Sequence, residues 1–468
     1  MIQELLNKNE HFHILQKASK LADSMDLEAY LVGGYVRDLL LGRELTDIDI
    51  MVNKESMNYA KELSKILKVN KTVLFEKFLT ARIPFSECEI EISNARKEEY
   101  EKVSRKPSKI VETTIREDII RRDFTINTLA VSLNKSNFGE LIDLFNGIVD
   151  LNSGLIKTPS DPDKTFKDDP LRMLRAIRFA AQLEFKIDED TAKSIEKNKD
   201  RLEIVSQERI TAEIFKILKS KKPSIAFYLL KKYNLLKIIF PEMDVMSGID
   251  IIDNKGHKDV FIHTLEVVDN AANLSDKMEI RFAALVHDIA KPNTKRFNQK
   301  KGWTFHGHDE IGKRMLVKIA KRMKLSNELR DYLMLLTKLH LRPIALAKKN
   351  ISDKAIRRLM FESGKFIDDL MILCRADITT KNKNKVKKYL ENFDRVEELM
   401  QDVKLRDEMS AFKSPVDGYT IMKTFDLKEG FTIGKIKSDI EDAILDEKIE
   451  NTFEAALEYM MSIKDKYL

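Results

Sequence analysis

Asp47 and Asp49, in the run Thr46-Asp-Ile-Asp-Ile50, are the residues of this chain best suited to chemistry. On a strand, side chains alternate faces, so the two carboxylates point the same way, about 7 Å apart. Among Ile48, Ile50, Met51 and Val52 they make a poor core. They make a good seat for Mg²⁺, which prefers carboxylate oxygens together with substrate phosphates. Upstream, Gly33 and Gly34 let the backbone approach a polyphosphate closely, and the N–H groups of a following helix start can bind it. Arg37-Asp38 follow on that helix. A surface turn with a solvated Asp pair is the bland alternative. It suits a lone Asp-x-Asp better than this spacing, which points to nucleotide chemistry.

Three further groups fit a nucleotide. Glu87, Glu89 and Glu91 alternate on a strand expected over Glu87–Ser93, and Glu91 is either a third acidic group near the metals or part of an exposed polar face. Arg121 and Arg122 need phosphate or carboxylate partners, and Asp123 can accept from ribose hydroxyls. The apolar flank of Ile119, Ile120, Phe124 and Ile126 argues against a purely surface ion pair. Asp168-Asp169-Pro170-Leu171-Arg172 opens a helix, with Asp169 as cap and Pro170 as its first residue. Asp168 or Asp169 also shares a face with Arg172. Together they offer one acceptor and a fork of donors. Cytosine and adenine each present an amine donor beside a ring-nitrogen acceptor, and uracil and guanine reverse that order. Arg175 and Arg178 follow at three-residue spacing and can reach a triphosphate.

Six of the eight histidines fall between residues 257 and 340. His263, His287-Asp288 and the later Asp377 resemble an HD domain, with His306, His308 and His340 nearby. Imidazole plus carboxylate suits a transition-metal site that activates water against a phosphate ester. Helix histidines satisfied by carboxylates are the alternative.

Gly-Gly-x-Val-Arg-Asp followed by Asp-x-Asp resembles the bacterial class II tRNA nucleotidyltransferases, the CCA-adding enzymes and their poly(A) polymerase relatives. The likeness runs along nearly the whole chain. It implies template-independent addition of the 3′ CCA of tRNA from CTP and ATP, with Asp47 and Asp49 catalytic and holding two Mg²⁺. It implies that Arg121-Arg122-Asp123 binds the nucleotide's sugar and phosphates, and that the Asp168-Asp169-Arg172 element templates C and A. The family has Glu where Asp168 stands, and Thr where Asn94 stands. Glu208-Arg209 and Glu213 resemble its neck element, read as a capped helix with i,i+4 ion pairs, and Leu144–Asp150 its hinge. Poly(A) polymerases carry a Gly-Arg-Arg-Phe-like stretch where this chain has Phe75-Glu76-Lys77-Phe78, which argues against that activity. The long segment 97–120 favours full CCA addition or terminal A addition over CC addition. A different class, an HD phosphohydrolase with a nucleotide-binding head, makes His287 and Asp288 the essential residues instead.

Strand-like runs at 29–32, 47–52, 87–93 and 140–143, set among helical patterns, must position the head. The fold class is α+β: a small α/β nucleotidyltransferase head at 1–150, a helical neck with the template helix at 151–250, an HD domain at 251–380 and a helical tail at 381–468. Residues 1–26 read as one helix. Gly248 and 254–256 read as a linker. With 468 residues, 43% hydrophobic, 34% charged and a net charge of +6, the chain can bury real cores, and local basic patches can hold a polyanion. The block Lys381–Lys388 reads as a solvated helix start, with phosphate contact as the other reading. Cys88 and Cys374 lie far apart in apolar contexts, which suggests a reducing cytoplasm. No apolar run reaches the length of about 18 residues that a membrane span needs. Sequence leaves the oligomeric state open.

Overall fold

The computed structural model describes residues 2–86, 88–100, 107–253, 255–346, 352–411, 414–445 and 448–467. They form two compact units, one of Met1–Ala345 with Ser363–Tyr389, the other of Leu346–Glu362 with Leu390–Leu468.

The described residues of the head form nine strands: β1 (Ala29–Val32), β2 (Asp47–Val52), β3 (Val73–Phe75), β4 (Thr80–Pro84), β5 (Glu89–Asn94), β6 (Arg96–Tyr100), β7 (Pro107–Glu112), β8 (Ala130–Ser132) and β9 (Leu141–Ile142). Seven of them make one sheet in the order β3-β4-β5-β2-β1-β8-β9, and β6 pairs with β7 alone. Only β2 and β5 run parallel within that sheet, with Asp47 opposite Glu89 and Asp49 opposite Glu91. Strand alternation explains the arrangement. Ile48, Ile50, Ile90 and Ile92 are buried on one face, so the carboxylates between them take the other. Helices Phe12–Ser24 and Ser56–Ile66 pack together beside the sheet, tied by the Tyr59 hydroxyl donating to the Ala18 carbonyl at 2.7 Å.

The expected first helix is two, Ile2–Asn7 and Phe12–Ser24. The break has a local cause: Asn9 Oδ1 accepts from the His11 N–H at 2.7 Å and stabilises a turn. Glu87 lies outside the described residues, as do 101–106 of the segment 97–120 and Asn254 of the linker. At the hinge, Asn146 takes a left-handed φ of 56° and Asp143 accepts from the Gly147 N–H at 2.7 Å. A Cβ on Gly147 would sit 2.4 Å from the Thr125 carbonyl oxygen, so only glycine fits there.

Beyond the head the expected helices are present, among them Leu171–Leu183, Gln207–Leu218, Val260–Leu274, Met278–Val286, His308–Met323, Asn327–Leu339 and Ile367–Ala376. Three short strand pairs add to them: 155–156 with 186–187, 251–252 with 255–256, and 296–298 with 302–304. The second of these occupies the expected linker. The Thr211 hydroxyl donates to the Met323 carbonyl at 2.8 Å and joins neck to HD region. In the second unit, Val416, Ile421, Phe425, Ile436, Ile440 and Met460 build a separate small core. Among the described residues no helix is long and apolar enough to cross a membrane. Both cysteines are buried, and neither forms a disulfide.

Candidate functional site: a carboxylate–arginine cavity and a histidine cluster

A cavity of about 630 Å³ opens between the sheet and the helix Leu171–Leu183. It brings together Gly33, Gly34, Arg37, Asp47, Asp49, Arg121, Arg122, Asp123, Asp169, Arg172, Arg175 and Arg178, which the sequence had singled out across some 145 positions. Asp168 does not line it. That residue ends the preceding helix, half-exposed, and burial pushes its carboxyl pKa up against the pull of Arg172. Nine basic side chains and five carboxylates line the cavity, so its field favours a polyanion despite the aspartate pair.

At the floor, Gly33 has a φ of +68°, and a Cβ there would sit 3.1 Å from Arg122 Nη1 and 3.5 Å from Asp49 Oδ2. The glycine therefore keeps the aspartate and the arginine close behind an open backbone. Burial pushes the Asp49 carboxyl up to about 7; Glu91 and Asp47 add repulsion, which Arg122 and Arg37 oppose. A carboxyl held up in this way beside two other carboxylates marks a place where a cation is stabilising. Glu91 lines this wall and also accepts from Arg82 at 3.2 Å.

The arginine row is held in place by buried acids. Asp118, 1% exposed, takes Arg121 at 2.6 Å and Arg122 at 3.1 Å on separate oxygens. Asp123 accepts from Arg175 at 2.7 Å and from Asn127 at 3.0 Å. Burial would raise its pKa, but Arg175, Asn127 and Arg172 outweigh that and hold it at about 2. Its oxygens are thus committed to protein donors, and the expected ribose contact must share them. Arg37, Arg175 and Arg178 surround the Phe179 ring at 5.0, 5.3 and 4.2 Å.

The two proposed base readers are separately anchored. Asp169 Oδ1 accepts from the Leu171 N–H at 3.1 Å, while Oδ2 pairs with Arg209 at 2.8 Å. Arg172 Nη2 donates to the Arg121 carbonyl at 2.6 Å. Pro170 flanks the helix instead of opening it, one position from expectation. The expected i,i+4 pair of Arg209 with Glu213 does not form. Arg209 reaches across to Asp169, and Glu213 pairs with Arg178 at 2.7 Å and Lys216 at 3.7 Å. The cross-helix partner Arg178 wins Glu213 because the pair neutralises buried charge, and Lys216 adds to it from the same helix. The Arg178–Glu213 side chains are only 9% and 4% exposed, so Glu213→Ala strands a buried guanidinium at a cost of about 3–5 kcal/mol. Calorimetry of the variant should show a lowered unfolding temperature, and an unchanged one would mean that water solvates Arg178. The sequence reading did not place Arg96, Asn127, Arg209 and Lys216 on this wall. The sequence reads Arg209 only as part of the neck's ion pairs, and the other three give no signal beyond their closeness to the motifs.

The second centre gathers the histidines. His263 lies on the helix Val260–Leu274; His287-Asp288, His340 and Asp377 each follow a helix end; His308 opens a helix. His263 Nε2 lies 2.9 Å from Asp377 and 3.5 Å from Asp288, and His287 Nε2 lies 3.2 Å from Asp288. The four residues singled out by sequence therefore meet. His308 and His340 join them, at 3.3 and 3.8 Å from Asp288, whereas His306 stays exposed. Asp288 is held well below the usual carboxylate range: burial raises it, but His287, Lys291 and His263 outweigh that. Burial and His287 push His340 down to about 4. His287 Nε2 and Asp288 Oδ1 are buried without a hydrogen-bond partner, as fits a ligand set for a metal.

Comparison with known proteins agrees with this layout. Residues 29–157 match the poly A polymerase head domain, 184–246 the probable RNA and SrmB-binding site of polymerase A, and 260–382 the HD domain. An A-adding tRNA nucleotidyltransferase of Aquifex aeolicus is 38% identical over 215 residues, 46% of this chain and 26% of that protein. A solved tRNA nucleotidyltransferase complexed with a primer tRNA and an incoming ATP analog superposes with a TM-score of 0.57 at 26% identity, over 81% of this chain and 99% of the other. A multifunctional CCA protein of Shewanella frigidimarina is 32% identical over 369 residues, 75% of this chain and 84% of that protein. Shared sequence over so much of both chains makes this one a member of the tRNA nucleotidyltransferase family of CCA-adding enzymes and poly(A) polymerases, with an HD domain in its helical region.

Proposed function

We propose that the chain builds or repairs the 3′-terminal CCA of tRNA from CTP and ATP, without a nucleic-acid template and with release of pyrophosphate. The observation that carries this is the single cavity that joins Asp47 and Asp49 to the arginine row and to Asp169 and Arg172. In this reading Asp47 and Asp49 hold Mg²⁺ at the triphosphate. The bound ions supply activation of the primer hydroxyl and charge stabilisation at the leaving oxygens. Gly33 and Gly34 admit the phosphates, Arg121 and Arg122 bind them, and Arg37 lies beside them. Arg175 and Arg178 fix the surrounding wall, and Asp123 orients Arg175. Asp169 and Arg172 read the base edge. The division of labour follows the segments 1–150, 151–250, 251–380 and 381–468. A tRNA substrate places the work in the cytoplasm.

The test is a set of transcripts ending at the discriminator base, at C or at CC, each given every nucleotide alone and then together, and the first of them is the most telling. CTP alone should add two residues, and ATP should add one only after them. Addition restricted to ATP on ends already carrying CC supports the second reading, A-only addition, which the identity to an A-adding relative favours. No addition from any end contradicts both.

The HD region, in this account, holds a transition metal through His263, His287, Asp288 and Asp377 and works as a separate phosphohydrolase. His287→Ala with Asp288→Ala is expected to lose the bound metal and any phosphodiesterase or phosphatase activity while keeping nucleotide addition. Loss of addition in a folded double variant would show that the centres are coupled.

A further inference from the structure

We propose that Phe179 is a positioning residue for the incoming triphosphate: its ring gathers the guanidiniums of Arg37, Arg175 and Arg178 into one cationic wall. This rests on the reading of the cavity as the nucleotide site and deepens it.

Phe179 lies on the helix Leu171–Leu183, is 5% exposed and lines the cavity. Arg175 and Arg178 come from its own helix, and Arg37 from the helix Gly34–Leu40 that follows the glycine pair. Arg178 stands 4.2 Å from the ring centroid, Arg37 5.0 Å and Arg175 5.3 Å. Grouped around one ring, the three charges are within about one screening length of one another, roughly 10 Å in dilute salt, and repel. An aromatic face attracts each cation through its quadrupole and carries no charge to neutralise it. A carboxylate in its place would cancel the wall, and an aliphatic side chain would leave the repulsion unopposed.

The acids that pair with these arginines anchor them without filling the cavity. Arg37 meets Asp38 at 2.6 Å, Arg175 meets Asp123 at 2.7 Å, and Arg178 meets Glu213 at 2.7 Å. Asp38 and Glu213 lie outside the cavity lining, whereas all three arginines are part of it. A guanidinium has five N–H donors, so a carboxylate on one edge leaves others for phosphate oxygens. The ring is fixed in turn: it packs edge-to-face on the buried Phe124, with centroids 5.9 Å apart and planes at 84°. Phe124 directly follows Asp123, the partner of Arg175, so ring and acid are placed by one stretch of chain. The wall is thus set before the nucleotide arrives. It attracts phosphates equally in the ground and transition states, so it acts on KM and not on kcat.

The test uses the full chain with Mg²⁺ and primer tRNAs ending in C for CTP and in CC for ATP. Phe179 is replaced by trifluorophenylalanine, which keeps the ring's shape and removes most of the charge on its face, and in a second variant by Phe179→Leu. In both, KM for CTP and for ATP should rise about 10-fold with kcat changed less than about twofold, the size of a desolvated cation–π contact. Inorganic tripolyphosphate, as a competitor, should weaken by the same factor. An unchanged KM in the fluorinated variant means that the ring only packs and overturns the proposal, whether or not Phe179→Leu folds. A fall in kcat at constant KM overturns it too. So does a raised KM with unchanged tripolyphosphate inhibition, which moves the ring's action to the base. A wild type that neither adds nor binds CTP or ATP overturns the nucleotide reading of the cavity itself, and the proposal with it.

Discussion

Asp49→Ala should lower the rate of nucleotide incorporation by about 1,000-fold or more, with tRNA affinity changed less than about twofold. Metal stabilisation of a phosphoryl transition state is worth several kcal/mol, and each 1.4 kcal/mol is tenfold in rate. Asp49 is the more exacting of the pair. It sits on β2 against Gly33 and beside Glu91, where burial makes its charge costly without a cation. Asp47→Ala should fall by a similar factor, since the two carboxylates share one face. Single-turnover extension of a primer tRNA with Mg²⁺ measures both. Near-normal turnover in either variant would move the chemistry elsewhere.

Arg172→Ala should slow CTP and ATP use by about 10- to 100-fold while UTP and GTP use stays near its low starting level, so discrimination collapses. The magnitude is that of a buried hydrogen-bonding edge left unpaired, about 1–3 kcal/mol. Asp169→Ala should do the same and in addition release Arg209, its partner at 2.8 Å. Competition assays with all four nucleotides decide the matter. Equal slowing for every nucleotide would reduce the pair to a helix cap and an ion pair.

Much of this site was readable from residue order because its signals are local. The Gly-Gly turn, the alternation of Asp47 and Asp49 with isoleucine, and the Asp-Pro helix entry each act within a few positions. The long amphipathic helices of the neck and HD region announced themselves by period for the same reason. What stayed hidden depends on the third dimension. Strands β3 and β8 have three residues each, too few to show a period. Arg209 and Glu213 suggested a pair along one helix, yet Asp169, between two helices, takes Arg209, and the buried Arg178 takes Glu213. His308 and His340 gave only a crowding of histidines, because 32 residues separate them and the fold alone sets their nitrogens 3.2 Å apart.

Sequencing the 3′ end of a tRNA that starts with a single terminal C, after incubation with CTP, ATP and Mg²⁺, reads out both the order and the end point of addition. One C, then one A, then arrest is the expected result. An unchanged end, A joined directly to the first C, or a run of A would contradict it.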